Sequence, residues 1–296
     1  MADVNGESGM WRVRLDIAYD GTDFSGWARQ PGLRTVQGVL EETLATLFRR
    51  YPPAPTVHVA GRTDAGVHAT GQVAHLDLDD AQLRSLRRRG DDARTMAPEA
   101  LAVLLGQRIN GVLGADSDVV VSSRIAPAGF DARFSAVWRR YEYRVSDASA
   151  LRDPLLRRTT VRHPTVLDLD AMDAAARALL GLHDYATFCK PRPHSTTIRT
   201  LQSFTWRREA DGVLVAALQA DAFCHSMVRS LVGATVGVGD GSLTGDDMVR
   251  LRDARARTGE FLVMPAKGLV LTEVGYPDDA ELATRAEQTR ARRELI

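Results

Sequence analysis

The sequence predicts an α+β fold in two halves, and three observations carry the prediction. Val13, Leu15, Ile17 and Tyr19 alternate with polar or small residues, the period of a half-buried strand. Val36, Val39, Leu40, Leu44, Leu47 and Phe48 recur at helical spacing over 36–50, placing one apolar stripe on a helix. Strands and helices then follow one another without the strict alternation of a doubly wound fold, which favours an antiparallel or mixed sheet.

The order of elements follows from the same cues. Residues 1–10 are polar and read as a flexible tail. The first strand ends at the turn Asp20-Gly21-Thr22-Asp23, which leads through Gly26-Trp27 to the helix over 36–50. Short strands are expected at 56–60 and 72–78, with the loop from Gly61 to Ala69 between them. The stretch 82–96 carries Arg84, Arg87, Arg88, Arg89 and Arg94 and reads as a surface loop or short helix, a solvated face before it is a phosphate contact. Pro98 suits a helix start, continued by Leu101, Leu104, Leu105 and Ile109. Strands at 119–125 and 138–145 close the first half. The basic, proline-containing stretch 151–164 links it to a second half with a helix at 168–180, strands near 198–208 and 212–220, and a helix at 222–236. The expected division is a tail at 1–10, an N-terminal α+β subdomain at 11–150, a C-terminal one at 151–276, and a charged tail at 277–296.

Composition bounds the function. The chain has 296 residues, 44% of them hydrophobic, enough for one large domain or two coupled ones. Lys and Arg number 38 and Asp and Glu 38, so any nucleic-acid contact must come from local patches. Cys189 and Cys224 stand apart and lack the spacing of a zinc site or a disulfide framework, which suggests a reducing, cytoplasmic setting. No apolar run approaches the ~20 residues of a membrane span.

Asp64 lies between Gly61 and Gly66, with Arg62, Thr63 and His68 beside it. An aspartate before glycine is commonly a turn residue bonding its own backbone. The company of Arg, Thr and His in one loop also suits a carboxylate projecting into a cleft. Arg229 sits in the apolar run Met227-Val228-Arg229-Ser230-Leu231-Val232-Gly233, read as helix. A charge buried there needs an acid, and Asp64 is the candidate, since a guanidinium holds a carboxylate ionised and aimed; a plain surface arginine reads equally well. Tyr141 and Tyr143 fall on one strand face, with Arg140 and Arg144 on the other. The rings read either as core or as a platform on which an unpaired base stacks. The histidines show no metal-ligand spacing, and neither a metal nor a cofactor is expected. Cys224-His225 as nucleophile and base fails because neighbours on a helix point apart.

Four segments together resemble the tRNA pseudouridine synthase A (TruA) family. They are Tyr19-Asp20-Gly21-Thr22-Asp23-Phe24-Ser25-Gly26-Trp27 with Arg34-Thr35-Val36-Gln37-Gly38, Gly61 to Ala69 with Gly71-Gln72-Val73, Ala132-Arg133-Phe134-Ser135-Ala136 with Arg140-Tyr141-Glu142-Tyr143, and Met227-Val228-Arg229 with Val232-Gly233. Pro265-Ala266-Lys267-Gly268-Leu269 is a weaker fifth. Asp131 stands where the family commonly has histidine, and Ser230 where it has asparagine.

The resemblance implies two related ferredoxin-like, RRM-like halves whose mixed, mainly antiparallel sheets join around a central catalytic cleft. It further implies a homodimer gripping one tRNA, and uridines of the anticodon stem-loop, at positions 38, 39 and 40, as substrate. By motif position it makes Asp64 the catalytic aspartate, Arg229 its ion-pair partner, Tyr141 the ring near the target base, and Leu269 a lining residue. Arg62 and His68 would handle the RNA backbone or the flipped nucleotide. The alternatives are a pseudouridine synthase acting on another RNA, and a non-catalytic RNA-binding protein.

Overall fold

A computed structural model of the chain describes residues 9–87, 96–192 and 196–294, with backbone alone at 291–294. It is an α+β structure of two compact units. The first comprises residues up to 65, 69–137 and 274 onward; the second comprises 66–68 and 138–273. The loop around Asp64 is therefore shared, its Gly61–Ala65 part belonging to the first unit and Gly66–His68 to the second.

In the first unit, β1 (Met10–Tyr19) runs antiparallel between β3 (His68–Asp79) and β4 (Val119–Ile125). The short β2 (His58–Val59) pairs with β3. Alternation along β1 buries Val13, Leu15, Ile17 and Tyr19. Helix α1 (Val36–Leu47) starts where Thr35 Oγ1 accepts the Gly38 N–H at 3.2 Å, and it buries Val36, Leu40 and Leu44. Its end at Leu47 is earlier than the 36–50 stripe suggests. Helix α2 (Asp80–Ser85) begins with a capping box between Asp79 and Gln82. Gln82 is buried and donates to the carbonyls of Tyr51 and Pro53 at 2.9 and 2.8 Å. Arg84 pairs with Asp80, whereas Arg88, Arg89 and Arg94 of the same basic stretch lie outside the described residues. Helix α3 (Pro98–Leu113) has proline in its first turn, as expected, and packs on β4 through its Leu105 and Ile109 face.

In the second unit the sheet order is β10-β5-β9-β8-β7, with β6 (Val161–Arg162) parallel to β5. These are β5 (Trp138–Ser146), β7 (Gly181–Asp184), β8 (Ile198–Arg208), β9 (Leu214–Ala220) and β10 (Leu269–Gly275). The β5–β9, β8–β9 and β7–β8 pairs are antiparallel. Helix α4 (Leu169–Arg177), capped by Asp168, packs on β8 and on α5 (Met227–Gly239). The sequence did not announce β6, β7, β10 or α6 (Gly245–Ala254). Behind β5, Asp147 is buried against Arg208 at 3.0 Å. Burial works to raise its carboxyl, but hydrogen bonds from Arg208, Ser149 and the Leu167 N–H prevail and hold it well below the usual carboxylate range.

Three expectations change. The helix read at 222–236 begins only at Met227, because Ser226 adopts a left-handed φ of 65° that no helix continues through. Cys189 and Cys224 are not isolated: they form a disulfide with 5.8 Å between their Cα atoms, so no reducing compartment can be argued from their separation in sequence. The loop of the Asp64 motif is shorter than read, since β3 already starts at His68.

The charged tail holds α7 (Leu282–Glu294). Leu282 and Ala286 are buried, Ser135 Oγ donates to the Leu282 carbonyl at 3.1 Å, and Arg290 pairs with Asp131 at 2.7 Å. Residues 1–8 lie outside the described residues.

Candidate active site

The Asp64 loop is built between β2 and β3 and has little backbone pairing of its own, so its shape comes from what grips it. Trp27 N–H donates to the Thr63 carbonyl at 3.1 Å. Gly26 has a φ of 95°, and a Cβ placed there would stand 3.0 Å from the Thr63 carbonyl and 3.2 Å from the Ala65 nitrogen. The close approach of two backbones thus requires glycine. From β1, the Tyr19 hydroxyl meets Thr63 Oγ1 at 2.8 Å. From β3, Gln72 Nε2 donates to the Gly61 carbonyl at 2.8 Å. Tyr19, Thr63 and Gln72 are all buried, while Asp64, just after these anchored positions, is half-buried and Arg62 and Ala65 are exposed. Sequence reasoning gave no role to Tyr19, Gly26 or Gln72; the signal was a glutamine and a tyrosine at inward-facing strand positions.

The second unit holds the other named residues. Arg229 is the third residue of α5, not a mid-helix residue as the sequence suggested. Its Nε donates to the Met264 carbonyl and its own carbonyl accepts the Met264 N–H at 3.2 Å. Among the described residues of this unit no carboxylate pairs with it. Tyr141 and Tyr143 share one face of β5, as alternation requires, and both are buried. Tyr141 meets the Phe223 ring edge-on at 5.2 Å between centroids. Tyr143 is a core residue, its hydroxyl donating to the Pro265 carbonyl at 2.6 Å and its ring lying against Gly268. Burial pushes its phenol well above the ordinary range. Leu269 follows at the start of β10 and is buried. The segment 264–269 therefore carries a carbonyl for Arg229, a carbonyl for Tyr143 and the Leu269 side chain. His68 is buried, with Nε2 3.0 Å from the Arg158 carbonyl. Among the described residues no three His, Cys, Asp or Glu side chains gather as a metal site.

Comparison with known proteins decides the family. The chain is 63% identical over 286 residues to a tRNA pseudouridine synthase A of Leifsonia xyli subsp. xyli, covering 96% of this chain and 98% of that one. It belongs to the tRNA pseudouridine synthase A family. It is also 49% identical over 285 residues to the synthase A of Frankia casuarinae, covering 96% of each, and 48% identical over 290 residues to that of Streptomyces griseus, covering 98% of this chain and 96% of that one. A family model described as tRNA pseudouridine synthase matches residues 175–277. That match takes in Arg229 and Leu269 of the synthase, whereas the Asp64 loop falls within the span aligned to whole relatives.

Within this synthase the two departures from the motif are structurally absorbed. Asp131 accepts the Arg133 and Phe134 N–H groups, each at 2.9 Å, and Arg290, closing a local turn. Ser230 is buried in the first turn of α5.

Proposed function

We propose that this chain isomerises uridine to pseudouridine in the anticodon stem-loop of tRNA, at positions 38, 39 and 40, with Asp64 as the catalytic carboxylate. Membership of the synthase family makes it an isomerase that acts on tRNA. The observation that carries the assignment of Asp64 is its setting, a half-buried carboxylate in a loop held at Gly61 and Thr63, immediately before it, by Gln72, Tyr19 and the Trp27 N–H. A turn aspartate that only bonds its own backbone needs no such support.

The reaction breaks the bond from ribose C1′ to the base nitrogen, turns the base, and rejoins it through carbon. Atoms and oxidation state are conserved, so the chemistry calls for no cofactor. Asp64 acts either by attacking C1′ or by taking the 2′ proton to give a glycal-like intermediate. Both routes need the target nucleotide extracted from its stack. In this reading Arg229 supplies a guanidinium that pairs with Asp64 and aims it. Tyr141 holds the extracted base by stacking, which is worth about 1 to 3 kcal/mol. Leu269 lines the pocket, and Arg62 and His68 handle the backbone or the flipped nucleotide.

The same reading joins two related ferredoxin-like halves around a central cleft, makes the working unit a homodimer, and locates it in the cytoplasm with its tRNA. Among the described residues no helix is long and apolar enough to cross a membrane.

The test is to incubate wild-type protein and Asp64→Asn with unmodified tRNA and map pseudouridine by carbodiimide-block sequencing. Wild type should modify the anticodon arm, and the variant should bind tRNA with no product. Turnover by the variant overturns the assignment of Asp64, and modification outside the anticodon arm overturns the substrate.

A further inference from the structure

We propose that Tyr19 and Gln72 are positioning residues for the isomerisation, setting the direction of the Asp64 carboxylate through hydrogen bonds to the residues that precede it. The inference rests on the reading of Asp64 as the catalytic group.

The geometry forms one connected chain of hydrogen bonds. Gln72 is fully buried, and its side-chain amide spends both hydrogens on the site, one on the Gly61 carbonyl at 2.8 Å and one on the Tyr19 hydroxyl at 3.4 Å. Its oxygen accepts the Val73 N–H at 3.1 Å, so no polar atom of the amide is left over. The Tyr19 hydroxyl, which accepts from Gln72, also meets Thr63 Oγ1 at 2.8 Å, either oxygen being able to donate. The loop is thereby held at Gly61 and at Thr63, and Thr63 is also fixed by its carbonyl to the Trp27 N–H at 3.1 Å. The residue next in sequence is Asp64.

Two further features show that the network is directed at the loop. The β1–β3 register shifts where it arises: Ile17 pairs with Gln72 but Tyr19 with Ala69, so two steps on β1 match three on β3. Such an irregularity re-aims side chains and is common beside active sites. Secondly, an all-apolar trio of similar volume would fill the same interior without the desolvation of an amide and two hydroxyls. The polar groups are retained in a place where their direction matters. A carboxylate displaced by a fraction of an ångström from its reacting atom loses rate far more than it loses binding. Burial pushes the Tyr19 phenol up to about 12, so the hydroxyl keeps its proton throughout any ordinary assay and holds the loop as a neutral hydrogen-bonding group, not as a base.

The experiment compares Tyr19→Phe, Gln72→Leu and Asp64→Asn in the full-length protein, measuring single-turnover rate on unmodified tRNA, tRNA affinity, and thermal midpoint. Tyr19→Phe removes one oxygen and keeps the ring; it should lower the rate about ten- to a hundredfold with affinity within about twofold of wild type. Gln72→Leu should do the same or more, and adding Thr63→Val to Tyr19→Phe should cost little beyond the single change, because both remove the same bond. Wild-type rates in Tyr19→Phe overturn the proposal even if Gln72→Leu fails to fold. A rate that falls only with the folded fraction, or together with affinity, also overturns it, by marking the network as structural. Turnover in Asp64→Asn sinks the underlying reading instead, a result distinct from inert Tyr19 and Gln72 variants beside a dead Asp64→Asn.

Discussion

The Asp64 loop and the start of α5 each hold a residue named for catalysis, and they are held by opposite means. The loop has almost no backbone ladder, and directional bonds from Tyr19, Gln72 and the Trp27 N–H give it its shape. Helix α5 satisfies its own backbone and is fixed by apolar burial, with Met227, Leu231, Val232 and Ala234 fully enclosed. It approaches another segment so closely at Gly233 that a Cβ would run into the Leu262 carbonyl. Apolar packing sets where a rigid rod lies, because it is non-directional and scales with area. A short loop offers little area, so its orientation has to be set by hydrogen bonds.

That contrast breaks or sharpens under substitution. The largest stability effect is expected from Gly233→Ala: with backbone in the way, α5 has to shift, and a loss of about 3 kcal/mol or more should appear as a lowered urea midpoint. Gly26→Ala should show the reverse balance. Its φ of 95° and the nearby Thr63 carbonyl make the change strained, at about 1 to 2 kcal/mol, but the displaced part is the Asp64 loop, so turnover should fall at least tenfold. Equal activity losses per unit of stability in the two variants would abolish the distinction.

A smaller, pH-dependent effect belongs to the same unit as the loop. His75 Nδ1 accepts the Ala132 N–H at 3.1 Å, which it can do only while unprotonated there. Burial lowers this imidazole to about 4, with the Arg12 guanidinium adding to the shift and Asp131 and Asp77 opposing it. The unfolded chain takes up the proton near pH 6.5 and the native one only near 4, so stability should fall as pH drops through that window. The contribution cannot exceed about 1.4 kcal/mol per pH unit. Urea unfolding at pH 7 and 4.5 reads it, and His75→Asn, which retains an acceptor, should flatten the slope. The smallest effect is expected from Arg290→Ala. Its pair with Asp131 at 2.7 Å is partly exposed and worth about 1 kcal/mol or less, a shift of a few degrees at most in thermal midpoint.

Elements with a strong local period were legible without any structure. The alternation of β1, the stripe of α1 and Pro98 at the head of α3 needed only the neighbouring residues. Short or weakly patterned pieces were not: β6 and β7 hold few residues each and are strands only because β5 and β8 lie beside them. The start of α5 was misplaced because Phe223 and Cys224 continue its apolar spacing, while the disulfide to Cys189 and the backbone of Ser226 depend on contacts distant in sequence. In the site, Asp64, Arg229 and Tyr141 could be named from motifs. Gln72 and Gly26 were quoted among them without a role, since a buried amide and an open turn look the same in one dimension.

By itself, then, the sequence determined the α+β class, most of the longer elements and the family, because these follow from periodicity and from residue identities at fixed spacing. Only the tertiary structure decided that Cys189 meets Cys224, that Arg229 leans on the Met264 carbonyl, and that Tyr19 and Gln72 hold the loop before Asp64 at Thr63 and Gly61. The physical reason is range. A period is a property of neighbours along the chain, whereas a hydrogen bond between residues 44 positions apart exists only after the chain has closed on itself.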